Sequence, residues 1–316
     1  METVGLTGLF GGAYAGRRVL VTGHTGFKGS WLALWLRTMG AQVGGFSLAP
    51  DTTPSHWTSL DLELVDETIA DISDARAIAQ SVQRFRPELV LHLAAQPLVR
   101  RSYREPARTF EVNVGGLVNL LEAVRACPGV RGVVNVTTDK VYEPPCPEHG
   151  YSETHALGGH DPYSASKACS DIVAASYRRS FFGDPAQGAQ IGIVNARAGN
   201  VIGGGDWAED RLVPDLVRAI DQGASLSIRH PASIRPWQHV LEPLSGYLAL
   251  GQALLEGRPL APAWNFGPAQ GEALPVMEVV RRFQRHWPEL QVQTDDGRHP
   301  HEAGVLKLDS REAFRK

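Results

Sequence analysis

From residue 17 to about residue 198 the chain repeats one alternation, a short run of consecutive apolar residues followed by a stretch with helical spacing. Arg18–Thr22 (RVLVT) is apolar at successive positions and ends at a glycine, the pattern of a parallel strand covered on both faces. Ser30–Met39 has helical spacing and stops at Gly40. Strands are predicted over Gln42–Phe46 and Glu67–Ala70, with a helix over Asp74–Phe85 after them. Leu89–Leu93 is a fourth strand. A long helix follows over Pro106–Ala126, with Pro106 in the first turn, where a missing N–H is harmless. Gly132–Thr137 (GVVNVT), a helix over Pro162–Phe181 and a strand over Ile191–Ala196 complete the series. Strands joined by helices in this way make a doubly wound parallel sheet, an α/β fold of the Rossmann type.

Beyond residue 198 the periodicity weakens. Gly203, Gly204 and Gly205 and the prolines Pro231, Pro236, Pro243, Pro262 and Pro268 interrupt it. Helices are predicted over Arg211–Gln222, Leu241–Leu255 and Pro275–Trp287. The chain therefore divides into a larger part, 17–198 with a returning segment near 236–262, and a smaller one, mainly 199–316. Met1–Gly16 is rich in glycine and reads as a loose lead-in.

Composition narrows the partners. The 316 residues are 43% hydrophobic and 21% charged, with a net charge of −3 and no long run of one sign. The basic surplus of a nucleic-acid binder is missing, so no nucleic acid is expected. Trp31–Met39 is too short to span a membrane and contains Arg37. The N-terminus lacks the basic-then-apolar order of a secretory signal. Cys127, Cys146 and Cys169 have neither metal nor redox spacing, and read as reduced thiols of a cytoplasmic protein. His24, His92, His155, His160 and His239 lack a carboxylate-backed ligand spacing, so they read as core or supporting residues and no metal is expected.

Candidate chemistry begins between the first strand and the first helix, at Gly23-His24-Thr25-Gly26-Phe27-Lys28-Gly29. Gly23, Gly26 and Gly29 let the backbone turn tightly and approach a diphosphate, onto which the helix directs its free N–H groups. The larger part is then a dinucleotide-binding domain and the smaller one a substrate-binding domain. The second strand ends Phe46-Ser47-Leu48, with no carboxylate until Asp51 and no arginine, so this position does not separate NAD from NADP. Tyr163 and Lys167 stand four apart on one helix face. A cation there favours the phenolate and makes the tyrosine a usable base.

Gly23-x-x-Gly26-x-x-Gly29 with Tyr163-x-x-x-Lys167 resembles the extended short-chain dehydrogenase/reductase family. The segments VTGHTGFKGSWL, HLAAQPLVR, LGGHDPYSASK, RAGNVIGGGDW and RPWQHV are similar to the CDP-glucose branch of its sugar-nucleotide 4,6-dehydratases, over Gly16–Ser310. The resemblance implies NAD as cofactor. It places Thr22 and Phe27 with the glycine loop, Asp71 and Ile72 beside the adenine, and Ala94 and Ala95 along the cofactor. Asn113 is to order the sheet and a water of the active site.

It also implies a role for Thr138-Asp139-Lys140 at the end of the fifth strand. In the wider dehydratase group the matching triplet is Thr-Asp-Glu, and the CDP-glucose branch resembles this chain in having lysine third. The implied reaction is an internal redox cycle yielding CDP-4-keto-6-deoxyglucose. Tyr163 takes the 4-hydroxyl proton as hydride leaves C4, Lys140 removes the C5 proton, Asp139 protonates the departing C6 hydroxyl, and hydride returns to C6. Asp139 must then carry a proton and Lys140 lack one, which calls for buried surroundings. An ion pair between them is not expected, because neighbours on a strand point to opposite faces.

Arg211 and Arg235 are the candidate phosphate ligands on chemical grounds. By resemblance Asn200, His301 and Glu302 face the nucleotide, and Gln96, Arg100 and Arg101 stand near the crevice. The resemblance further implies a homodimer, built on a four-helix bundle from the Pro106 helix and the Tyr163 helix. Relatives continue past LKLDSREA with residues expected to be helical and to pack on the substrate domain. Other readings are an epimerase, which would need Tyr163 and Lys167 but not Asp139-Lys140, and a dehydratase for another NDP-glucose. An inactive dinucleotide-binding regulator would be expected to have lost Tyr163 or Lys167.

Overall fold

Residues apolar at every position can only lie between two layers, and they form the centre of the molecule. The computed structural model describes residues 6–183, 191–269, 271–295, 297 and 299–315. In chain order its main elements are β1 (Arg18–Thr22), α1 (Phe27–Thr38), β2 (Gln42–Ser47), β3 (Asp66–Ile69), α2 (Ala75–Phe85), β4 (Leu89–His92), α3 (Val99–Arg104), α4 (Pro106–Phe110) and α5 (Gly116–Arg125). They continue with β5 (Gly132–Thr138), α6 (Pro162–Tyr177), β6 (Gly192–Ala198), α7 (Leu212–Gln222), α8 (Leu241–Leu255), β7 (Ala263–Phe266) and α9 (Val276–His286).

The strands form one parallel sheet in the order β7-β6-β5-β4-β1-β2-β3. The pleat sorts β1 between two cores. Val19 and Val21 join Leu32, Leu36, Val134 and the α8 residues Leu244, Tyr247 and Leu248 on one face. Leu20 joins Val82, Val90, Leu117, Leu121 and Val133 on the other. Element bounds shift slightly from the sequence reading. The first helix starts at Phe27 because Gly26 is its N-cap. The expected long helix from Pro106 is α4 and α5 joined by a π turn, Glu111–Gly115. A second π turn, Arg178–Phe182, ends the α6 run.

The smaller part holds α7 and α9, packed through Leu216, Ala219, Val280 and Leu290. Among the described residues three two-stranded ribbons accompany them, one of them Ile234–Arg235 paired with Leu274–Pro275. Between these pieces the chain returns to the main sheet, where α8 lies on one face and β7 pairs with β6. Among the described residues no helix is long and apolar enough to cross a membrane.

The expectation of a loose lead-in is corrected from residue 6 onward. Leu6–Gly12 forms short 3-10 turns broken by a kink at Leu9–Gly11, and Tyr14 behind it is fully buried in the core. Its hydroxyl donates to the Leu248 carbonyl at 2.5 Å, and the Phe10 ring packs edge-on against it. Glycine content hid an aromatic anchor. Tyr14→Ala should cost about 3–5 kcal/mol, and Tyr14→Phe about 1–3 kcal/mol for the stranded carbonyl, as read by urea unfolding. A negligible change for Tyr14→Ala would show that the segment is not part of the core.

Candidate active site

The loop after β1 is shaped by its glycines. Gly23 has φ +74°, and a Cβ there would stand 2.8 Å from the Ala94 nitrogen. On Gly29 it would stand 2.0 Å from the Gly23 carbonyl oxygen. These two are required by the protein's own packing. Gly26 is not, since its Cβ would meet nothing closer than 3.4 Å. As the N-cap of α1 it has no side-chain cap, so the first-turn N–H groups face the space in front of them. That space is a cavity of about 250 Å³, lined by Gly23, Thr25, Gly26, Phe27 and Gly29 on one side. Asp71, Ile72, Ala94, Ala95, Tyr163 and Lys167 line it further along. An uncapped helix N-terminus behind a bare Cα, opening into an elongated cavity, fits the diphosphate of a dinucleotide.

Two residues expected on the cofactor lie behind it. Thr22 Oγ1 bonds His92 Nδ1 at 2.7 Å and accepts the Leu93 and Ala94 N–H groups at 3.2 Å, fastening β1 to β4. Thr25 lines the cavity in its place. Asn113 accepts the Gln96 N–H at 2.8 Å and donates to Ser166 Oγ at 2.9 Å, tying the segment after β4 to α6. The charged pair at this end of the cavity comes from beyond β3 and from α4. Asp71 accepts from Ser73 and from Arg108 of α4, and Arg108 also lines the cavity. Partial burial pushes the Asp71 carboxyl up, but its bonds to Ser73 and Arg108 outweigh this and hold it low.

Thr138 ends β5, and the chain then turns through Asp139–Val141 as a single 3-10 turn. Thr138 Oγ1 donates to Asp139 Oδ1 at 3.0 Å. Asp139 is buried, and its Oδ2 has no hydrogen-bond partner. Lys140 Nζ lies 3.6 Å from Asp139 Oδ1. This corrects the expectation of opposed side chains. Strand geometry stops at Thr138, and the turn brings the acid and the amine to one side. Both face a second cavity of about 310 Å³, shared with Tyr163, Asn200, Arg211, Arg235 and Glu302.

Tyr163 and Lys167 stand on one face of α6, whose N-terminus is set by Asp161 as cap and Pro162. Lys167 Nζ donates to the Val136 carbonyl of β5 at 3.0 Å. Burial pushes this ammonium down to about 8, against the pull of Asp171. The Tyr163 phenol is pushed up to about 12 by burial, with the Thr138 hydroxyl opposing. The expected lowering by Lys167 is therefore outweighed, because the amine is turned to the β5 backbone. Lys28, not singled out from the sequence, lines both cavities with its Nζ 3.4 Å from the Tyr247 hydroxyl. Burial, with Arg211 and Lys167 adding, pushes it down to about 7. A charged residue inside a glycine loop was the available signal.

Of the substrate candidates, Arg211 lines both cavities and pairs with Asp206 at 2.8 Å. Arg235 is buried and donates to the Ile234 and Gly304 carbonyls. Three others do not line either cavity. The Gln96 side chain is consumed by Leu98 and Thr109. Arg101 points away and pairs with Glu105 at 3.6 Å, while Arg100 lines the cavity, joined to Asp210 at 2.7 Å. Successive residues on a helix face directions about 100° apart, and α3 presents the first of the two. His301 is exposed with its ring against His160, and Glu302 lines the cavity. Among the described residues no group of three or more His, Cys, Asp or Glu side chains could hold a metal ion.

With this geometry in hand, three comparisons are informative. The profile of the NAD dependent epimerase/dehydratase family matches residues 19–265. A CDP-glucose 4,6-dehydratase from Salmonella typhimurium is 48% identical over 305 residues, 95% of this chain and 85% of that protein. Among solved structures, dTDP-glucose 4,6-dehydratase from Streptomyces venezuelae with NAD bound superposes with a TM-score of 0.78 at 27% identity, covering 95% of this chain and 90% of that one. UDP-glucose 4-epimerase from Thermus thermophilus, in complex with NAD, has a TM-score of 0.80 at 26% identity, covering 94% and 92%.

Proposed function

We propose that this chain, which belongs to the NAD dependent epimerase/dehydratase family, converts CDP-glucose to CDP-4-keto-6-deoxyglucose by 4,6-dehydration. The observation that carries the reading is Asp139. It is a buried carboxyl with one oxygen unpartnered, beside Lys140 and on the same cavity as Tyr163. A 4-epimerase needs a base at the 4-hydroxyl but no acid for a leaving group. The 48% identity to the Salmonella protein along nearly the whole chain supports cytidine as the base.

NAD, when bound, supplies the acceptor and donor of hydride, and its ring brings positive charge toward the cavity. The glycine loop, Phe27, Asp71, Ile72, Ala94 and Ala95 would hold it, with Lys167 on its ribose. Tyr163 takes the proton of the 4-hydroxyl. With its phenol this high, it acts once positive charge is close by. Lys140 removes the C5 proton, Asp139 gives its own to the C6 hydroxyl, which leaves as water, and Lys140 returns its proton to C5 once C6 is reduced. The cycle leaves Tyr163 with one proton more and Asp139 with one fewer, and the next requires that proton to pass between them, where the Thr138 hydroxyl bonds both. Arg211 and Arg235 serve the diphosphate, and Asn200 and Glu302 the nucleotide. Exposed Phe110, Ile172 and Phe181, at the ends of the α4 and α6 runs and on α6 itself, support a homodimer on these helices. The three free cysteines support a cytoplasmic location.

The test is separate incubation with NAD and CDP-, dTDP-, GDP- or UDP-glucose, followed by mass spectrometry. Loss of one water from CDP-glucose alone is expected. Water loss from another nucleotide would move the substrate, and an isomer of unchanged mass would establish the epimerase reading.

A further inference from the structure

Behind both cavities lies a buried polar chain that the proposed reaction does not use. Asp171 stands on α6 one turn beyond Lys167, Arg197 in β6, Asn265 in β7, and Tyr142 directly after the turn that carries Asp139 and Lys140. Each is at most 4% exposed, and none lines either of the two cavities. The Arg197 guanidinium holds Asp171 Oδ2 at 2.5 Å through two nitrogens. It also donates to the Tyr142 hydroxyl at 2.9 Å and the Glu153 carbonyl at 3.0 Å. Its carbon lies 5.0 Å from the Tyr142 ring centre. Tyr142 donates in turn to Asn265 Oδ1 at 2.6 Å, and Asn265 donates to the Tyr151 carbonyl at 2.8 Å. Burial pushes the Tyr142 phenol up to about 12, so it keeps the proton it donates.

Burying an ion pair is costly, and an apolar filling of the same volume would often serve stability as well. What the charged pair supplies is direction. One planar guanidinium fixes the distance between α6, on which Tyr163 and Lys167 stand, and the residue that terminates the Asp139-Lys140 turn. We propose that Asp171, Arg197 and Tyr142 are positioning residues that hold the acid–amine turn in register with the Tyr163 helix. The inference rests on the dehydratase reading, because only a reaction using both groups on one sugar needs that register.

Tyr142→Phe tests it, since it removes one oxygen and keeps the ring on Tyr151. Water loss from CDP-glucose should fall about ten- to a hundredfold, the scale set by an ångström of misplacement. The first step, read by reduced-nicotinamide absorbance, should persist, so that this absorbance accumulates. NAD affinity by fluorescence titration should stay near that of the native protein, while the thermal midpoint falls by a few degrees for the Asn265 oxygen left without its donor. Arg197→Lys, which keeps the charge but not the fork, should show the same split between steps. Equal losses in both steps would reduce the network to a structural one, and unchanged water loss would remove any role in catalysis; either overturns the inference. If the native protein dehydrates no nucleotide sugar, the functional reading falls and the inference with it. If the native protein does so and the variants show no split, the inference alone falls.

Discussion

Asp139→Asn should lower water loss from CDP-glucose by about 10²–10⁴-fold, the usual contribution of a placed general acid. The replacement is isosteric but has no acidic proton for the leaving hydroxyl. Its geometry is undemanding. Thr138 still donates to Oδ1, and the new amide occupies the position of Oδ2, which has no partner to lose. Lys140 loses its counter-charge, but its side chain is 20% exposed and reaches water. The variant should therefore fold, bind NAD and carry out the first oxidation, since Tyr163 and Lys167 are untouched. Mass spectrometry reads the water, and reduced-nicotinamide absorbance reads the first half. Dehydration at the native rate would sink the assignment of Asp139 as the acid.

Gly29→Ala should act at the other end of the site. Its Cβ would stand 2.0 Å from the Gly23 oxygen, 2.7 Å from the Gly23 carbonyl carbon and 2.8 Å from the His24 Cα. All three are backbone, so no side chain can swing aside. Either α1 or the loop must move, at a cost of about 1–3 kcal/mol. Strain at the upper end, borne by the loop that faces the cofactor, corresponds to about a hundredfold in Kd. Gly26→Ala is the discriminating companion. Its Cβ has 3.4 Å of room, so the thermal midpoint should hold while NAD affinity falls, because the methyl would occupy the cofactor's side of the loop. Calorimetric titration with NAD and a thermal melt of each variant separate the two effects. Native affinity in Gly29→Ala would mean that the loop is not the diphosphate site.

What could be read from the sequence follows from which signals are local. The inner strands β1, β4 and β5 carry consecutive apolar residues, Val19–Val21, Leu89–Leu91 and Val133–Val134, because both faces are covered, and that pattern survives without any knowledge of their neighbours. The glycine loop and the Tyr163–Lys167 spacing are local as well. With the longer shared segments they pointed to the family and the reaction class that the comparisons bear out. Signals that depend on rotation or distance were lost. Whether Arg100 or Arg101 enters the crevice is decided by the phase of one short helix. The same holds for Thr22 against Thr25 and His301 against Glu302, where each pair is separated by few positions but faces different ways. The Asp71–Arg108 contact joins segments 37 residues apart, so nothing at the end of β2 announced it. The Asp139–Lys140 pair was misjudged by a single residue of strand. The high Tyr163 phenol reflects enclosure, which no spacing rule contains.

The placement of β7 and α8 bears on how the protein is made. A chain emerging from its N-terminus completes β1 to β6 while the face that α8 will cover still lacks Leu244, Tyr247, Leu248 and Leu254. The outer edge of β6 is likewise unpaired until Ala263–Phe266 arrives. During synthesis the nascent sheet thus carries a sticky face and an open edge, the features that invite wrong association. The same arrangement stitches residues 199–240 into the sheet at both ends. The arginine-bearing wall of the substrate cavity hangs from the nucleotide-binding half as a loop sewn at two hems.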